Sequence, residues 1–242
     1  MAITEHPTNN QIPDLTGISR KKSKKKTMRQ KPGVKKFVFN PFQENTYVLY
    51  EPEGACVIID PGNNSPEEEE EILSFIRDQH LRPMHILLTH GHLDHVCGAP
   101  FFFEKFGLSP KIHPDDLSLY RTVKMQGEMF SFPVADMPDA EKLVMEPLAF
   151  GDVTLEVIHM PGHTPGGTAY YDRAYGLLFS GDVLFRGSIG RTDLMGGDYN
   201  LLKNSIKTEI LEKMDDEVRV FPGHGPETTV GYEALSNPFL DF

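Results

Sequence analysis

The chain has 242 residues, 39% of them hydrophobic, with a formal net charge of −11. No apolar run approaches the ~18 residues a membrane-spanning helix needs. MAITEHPTNN has no apolar core behind a basic start, so a secretory leader is not expected. Two cysteines, Cys56 and Cys97, cannot make a disulfide framework, which points to a reducing compartment and a cytoplasmic protein.

Residues 1–36 carry ten basic and two acidic side chains, which leaves −19 on residues 37–242. Residues 1–33 are polar without apolar periodicity and are expected to be a disordered basic tail ahead of one domain over 34–242. Lys21–Lys26 reads either as a solvated tail, or an extension ahead of a start at Met28, or as a tether for nucleic acid or a membrane surface. The acidic body would repel a phosphate backbone, so neither a nucleic acid nor a membrane partner is expected.

From residue 34 the β-branched runs KKFVFNPF, NTYVLYEP and ACVIIDPG predict three strands broken by Asn, Pro and Gly. A helix follows, with Ser65 as cap, Pro66 at the first position and Glu68 completing a capping box. Ile72, Phe75 and Ile76 give it one apolar face. HILLTH is a strand, GAPFFFEKFG a short helix ending at Gly107, and 114–130 a helical insert. VTLEVIHM, GTAYY, YGLLFSGD and VRVFPGH are further strands. Asn200 to Met214 is an amphipathic helix with Leu202, Ile206 and Ile210 on one face. Interleaved strands and helices predict a layered α/β protein.

Four of these strands end in potential metal ligands. His90-Gly91-His92-Leu93-Asp94-His95 packs four into six residues. In extended chain, His90 and His92 point the same way and can grip one ion, while Asp94 and His95 face a second. Gly91 relieves the crowding of the turn. His163 and His224 follow Pro-Gly, and Asp182 follows Ser-Gly. Asp182 has two oxygens and can bridge two ions. Imidazole and carboxylate without thiolate suits Zn²⁺, Fe or Mn²⁺. Two such ions ~3.5–4 Å apart share a hydroxide, a strong nucleophile at neutral pH. Five of the ten histidines fall in this set; His6, His80, His85, His113 and His159 show no partner pattern and read as structural or solvent-exposed.

HGHLDH, a lone His, an Asp after Ser-Gly and a late PGH together resemble the metallo-β-lactamase superfamily over most of residues 34–242. The resemblance implies a four-layer αββα sandwich with a dinuclear site at one edge of the sheets. It implies His90, His92 and His163 on one metal, Asp94, His95 and His224 on the other, and Asp182 between them. Two divalent ions are expected, Zn²⁺ first, with Fe or Mn also compatible. VIIDPG matches the family pattern too, and Asp60 reads either as a residue that orients a ligand or as a plain turn residue.

LFRGSIGRTDLMGGD looks like the short bacterial hydroxyacylglutathione hydrolases (glyoxalase II). True β-lactamases are less similar, commonly having Cys where Asp182 stands and Arg where His95 stands. The implied chemistry is thioester hydrolysis, as of S-D-lactoylglutathione, by a metal-bridging hydroxide, with Asp94 as the catalytic acceptor of the water's proton. The expected partner is a small-molecule thioester. Longer glyoxalase II enzymes bind glutathione with a C-terminal helical domain. Only 18 residues follow His224, so glutathione recognition is expected to be weak or to come from elsewhere. Arg191 either meets a substrate carboxylate or pairs with Asp193. Met125, Met129, Phe130 and Phe132 form either an apolar lid or part of the core. The competing readings are a persulfide dioxygenase-like mono-iron oxidoreductase, a nucleic-acid-processing metallo-hydrolase, and a metal-stabilised binding module without catalysis.

Overall fold

The β-branched runs after residue 33 do form strands, because each alternates its side chains between two different apolar surfaces. The computed structural model describes residues 1–2 and 30–241. The expected disordered tail over 1–33 therefore lies largely outside the described residues. One sheet has the order β1 (Gly33–Phe39), β2 (Glu44–Tyr50), β3 (Ala55–Ile59), β4 (Arg82–Leu87), β5 (Pro110–Ile112), β6 (Glu141–Lys142). The second sheet is built from β7 (Leu148–Phe150), β8 (Val153–His159), β9 (Thr168–Asp172), β10 (Leu177–Gly181), and, after the small β11 (Leu184–Phe185) and β12 (Ser188–Ile189) hairpin, β13 (Arg219–Pro222) and β14 (Thr228–Thr229).

Three apolar clusters make the layers. Tyr47, Leu49, Val57 and Ile59 of the first sheet meet Leu155, Tyr170, Phe179 and Phe221 of the second, so the sheets pack face to face. The alternate residues, Val48, Cys56, Ile58 and Ile86, turn outward onto Ile72 and Ile76 of α1 (Pro66–Asp78) and onto the helices α2 (Leu93–Val96) and α3 (Ala99–Phe106). Ala169, Tyr171, Leu178 and Val220 turn out the other way, onto α6 (Tyr199–Ser205), the π-helical turn Ile206–Leu211 and α7 (Val230–Ser236). Helix, sheet, sheet, helix is the αββα sandwich the resemblance implies.

The helical insert splits at Thr122 into α4 (Leu117–Arg121) and α5 (Val123–Phe130). β3–β4 and β10–β13 are parallel. The segments after β3, β4, β8, β10 and β13, which carry Asp60, the His90–His95 run, His163, Asp182 and His224, all lead to one site. Among the described residues no helix is long and apolar enough to cross a membrane.

Candidate metal centre

The structure brings the seven predicted ligands together. Nitrogen and carboxylate atoms of His90, His92 and His163 form one group, and those of Asp94, His95 and His224 another, each within 4.8 Å internally. His92 Nδ1 lies 3.0 Å from His163 Nε2, and His95 Nε2 lies 3.3 Å from His224 Nε2. Asp182 stands between them: Oδ1 is 3.3 Å from His95 Nε2, and Oδ2 is 3.7 Å from His163 Nε2 and 3.6 Å from His224 Nε2. Asp94 Oδ2 is 3.2 Å from His224 Nε2.

The outward bonds of the imidazoles fix what faces inward. His163 Nδ1 donates to the Arg191 carbonyl at 2.7 Å, and His224 Nδ1 to the Gln43 carbonyl at 3.2 Å. His95 Nδ1 donates to Asp60 Oδ2 at 3.0 Å. His90 Nδ1 meets Thr89 Oγ1 at 3.0 Å, and that hydroxyl donates to Asp60 Oδ2 at 2.5 Å. With Nδ1 carrying the hydrogen, Nε2 presents a bare lone pair, the form in which a neutral imidazole ligates. His90 Nε2 is buried and has no hydrogen-bond partner. A buried polar atom of this kind is costly unless something fills the space it faces, so the donor set fits a cation.

The electrostatics divide the rings into two kinds, His90 and His92 held neutral and His95 and His224 drawn toward positive charge. Burial, with the neighbouring His95 and His92 rings, drives His90 well below its ordinary range, and burial with His163 holds His92 down at about 4. At His95 and His224 burial pushes the same way but is outweighed: Asp182 and Asp94 pull His95 up, and the bond to Asp94 with the Asp182 charge pulls His224 up. Burial would raise Asp94 and Asp182, yet the surrounding histidines hold both carboxyls below their usual value. The acids thus keep their charge and make a place for positive charge.

Two glycines are required by close approach. A Cβ on Gly223 would sit 2.2 Å from Asp182 Oδ1 and 2.6 Å from the His95 ring. A Cβ on Gly91 would meet the Tyr120 nitrogen at 2.9 Å, so the packing of α4, more than turn geometry, demands that glycine.

Asp60 does more than turn the chain. It takes a left-handed φ of 51°, which Asp tolerates, and both its oxygens accept from Thr89 while Oδ2 also holds His95. Arg191 lies at the cavity wall, but its guanidinium is paired bidentately with Asp193 at 2.7 and 2.8 Å. Its main chain, through the bond to His163, does the positioning.

Sequence reasoning missed Asp116. This fully buried carboxylate accepts from Gly91 N at 3.0 Å, Thr164 Oγ1 at 2.8 Å and Gly166 N at 2.6 Å, tying the His90–His95 loop to the His163 loop. Its only local signal is an acid at the start of a helix, which reads as a cap. Gln126 of α5 was missed too; its Oε1 accepts from Leu93 N at 2.9 Å. His113 and His159, expected to have no partner pattern, stack at 4.2 Å and 6° beside Asp115. One nitrogen of each meets backbone, His113 Nδ1 accepting from Asp115 N and His159 Nε2 donating to the Pro165 carbonyl.

A model of the metallo-β-lactamase superfamily matches residues 39–224. The hydroxyacylglutathione hydrolase GloC of Haemophilus influenzae is 38% identical over 204 residues, 83% of this chain and 94% of its own. The solved structure of the BLEG-1 B3 metallo-β-lactamase is 37% identical with a TM-score of 0.77, covering 87% of this chain and all 100% of that one. TTHA1623, solved in a di-iron-bound form, is 40% identical with a TM-score of 0.76, covering 85% and 100%.

Proposed function

The chain belongs to the metallo-β-lactamase superfamily, a metallo-hydrolase family, and from that premise we propose that it is a metal-dependent thioester hydrolase of the hydroxyacylglutathione hydrolase type. The observation that carries the reading is the convergence of five imidazoles and the carboxylates of Asp94 and Asp182 on one centre, with His92, His163, His224 and both carboxylates lining one cavity and His90 and His95 buried behind them. His90, His92 and His163 would hold one ion, Asp94, His95 and His224 a second, and Asp182 would touch both. Two divalent cations there supply Lewis acidity toward an acyl oxygen and a hydroxide at neutral pH. The same residue set takes Zn²⁺, Fe or Mn²⁺.

The chain's own part is to hold these groups still and to take a proton. Asp60, Thr89 and the Arg191 and Gln43 carbonyls fix the ring orientations from behind. Asp94 offers Oδ1, the oxygen left after Oδ2 meets His224, for the proton of the attacking water. A thiolate departs without a strong acid, since a thiol's ordinary pKa is about 8.5. That suits a cavity whose lining holds no Lys, Tyr or Glu among the described residues.

The test is a metal determination together with a substrate panel. Purified protein should carry two metal ions per chain and hydrolyse S-D-lactoylglutathione or another thioester. One iron per chain with oxygen uptake on a persulfide, or turnover confined to a β-lactam, would replace this reading.

A further inference from the structure

The metal groups open onto a cavity of about 640 Å³. Its non-ligand wall is largely apolar, with Thr122, Gln126, Ser188 and Arg191 the polar exceptions. Met125 and Met129 stand one turn apart on α5, 52% and 74% exposed, with Phe130 at 60%. Phe42 reaches over from the β1–β2 turn and packs edge-on against Phe130 at 5.6 Å. Leu194 and Met195, from the loop before α6, add a second exposed apolar pair. Large apolar side chains left in water around one concavity mark a site for an apolar ligand, and methionines adapt their shape to what they cover. Phe132, by contrast, is 8% exposed and belongs to the core.

Charge decides against an anionic occupant. Apart from the histidines, Arg191 is the one basic side chain lining this cavity among the described residues, and Asp193 already holds its fork. Arg121 and Lys124, on the same two helices, line a separate cavity beside Asp136. Residues 37–242 carry −19. Glutathione brings two carboxylates, and its recognition wants paired cations that this wall does not offer.

On the thioesterase reading, we infer that the thioester taken by this site has an uncharged, apolar arm, aliphatic or aromatic, seated against Met125, Met129, Phe130 and Phe42, in preference to a glutathione arm.

The experiment compares S-D-lactoylglutathione with the D-lactoyl thioester of benzyl mercaptan on the metal-loaded full chain. The benzyl thioester should have the higher kcat/KM by roughly tenfold, the scale set by burying one aromatic face. M125Q/M129Q, at two exposed positions, should shrink that ratio by about tenfold through KM. Equal or better use of the glutathione thioester, or an unchanged ratio in M125Q/M129Q, overturns the inference. If neither thioester is hydrolysed, the hydrolase reading falls, and calorimetric binding then judges the wall. N-acetyl-S-benzylcysteamine binding more tightly than S-methylglutathione, and weakened by M125Q/M129Q, supports it; equal binding overturns it.

Discussion

Asp116 shows how one carboxylate can govern a centre it does not enter. Its two oxygens take three donors from segments 25 to 50 residues away in sequence, two of them adjoining candidate ligands and the third, Gly166, three residues beyond His163. Asp116→Ala leaves those donors buried and unpaired, and partners behind metal ligands typically matter by ~10–100-fold in metal affinity. Metal retained per chain after dialysis should fall accordingly, with Asp116→Asn falling less because one oxygen survives; full retention in both would show the bonds to be dispensable. Asp94→Asn touches both a candidate metal ligand and the proposed proton acceptor, so its turnover is read on protein whose metal content has been restored and measured. It should lower kcat by ~10²–10⁴-fold, the usual worth of a positioned proton acceptor, and near-normal turnover with both metals bound would remove Asp94 from that role. The buried thiols behave differently again. Burial pushes the Cys56 thiol up to about 12 and Cys97 also well above its usual range. Native protein at pH 8 should therefore resist thiol reagents, and denatured protein should react at both cysteines. The linkage has a definite sign. Above the unfolded thiol value of about 8.5 the unfolded chain releases protons that the folded chain keeps, so stability falls as pH rises from there toward 12. Thermal melts between pH 8 and 11 should show that decline, less steeply in Cys56→Ala.

At the scale of elements, the start of α1 departs from the simple capping box in an informative way. Ser65 does cap, accepting from Glu68 N at 3.3 Å. Glu68, however, does not fold back on Ser65; its carboxylate accepts from Asn64 N and from Asn40 N, both at 2.7 Å. Asn40 in turn donates from Nδ2 to the Asp94 carbonyl at 3.0 Å. The cap is thus a link from α1 through the β1–β2 turn to the metal-binding loop. Glu68→Ala should cost about 1–2 kcal/mol, read as a lower denaturant midpoint at unchanged slope. What was legible follows from period. β2 and β3 announced themselves because alternate residues face two apolar layers. The ligand loops announced themselves because His, Asp and Gly crowd into a few positions after apolar runs. β5, β6, β7 and β14 are two or three residues long and carry no period at all. The expected helix over 200–214 runs as α6 and then widens into a π-helical turn. Leu202, Ile206 and Ile210 recur every four residues, and i→i+5 turns keep that spacing on one face where a regular α-helix would drift. Asp116 and Thr89 stayed hidden because their partners are set by packing between segments distant in the chain.

For the molecule as a whole, the ligand set is divided between the two sheets. His90, His92, Asp94 and His95 follow β4 of the first sheet, while His163, Asp182 and His224 follow β8, β10 and β13 of the second. Asp182 reaches across to His95 at 3.3 Å, and Asn45 of β2 donates to the Pro222 carbonyl at 2.9 Å. Elsewhere the sheets are joined by the Tyr47, Phe179 and Phe221 cluster, whose ring centroids lie 4.9–5.6 Å apart. At this edge they are joined mainly by polar groups: Asp182 with His95 and Asp94 with His224 pair carboxylate with imidazole across the sheets, while His92 with His163 and His95 with His224 set ring against ring. Facing imidazole lone pairs attract little without a cation between them. Cations bound there would fasten one sheet to the other, and the unfolded chain offers them no formed site. Binding only to the folded state stabilises by about 2.7 kcal/mol per ion when free metal stands at 100 times its dissociation constant. Stripping the protein with a chelator should therefore lower Tm, and restoring Zn²⁺, Fe or Mn²⁺ should raise it again, with metal content measured in parallel. His95→Ala and His163→Ala remove one donor from each sheet. Each should blunt the response to chelator, because either loss loosens the same fastening. A Tm that stays put while the measured metal falls to zero would mean that apolar packing alone holds the sheets and that the ions serve chemistry only.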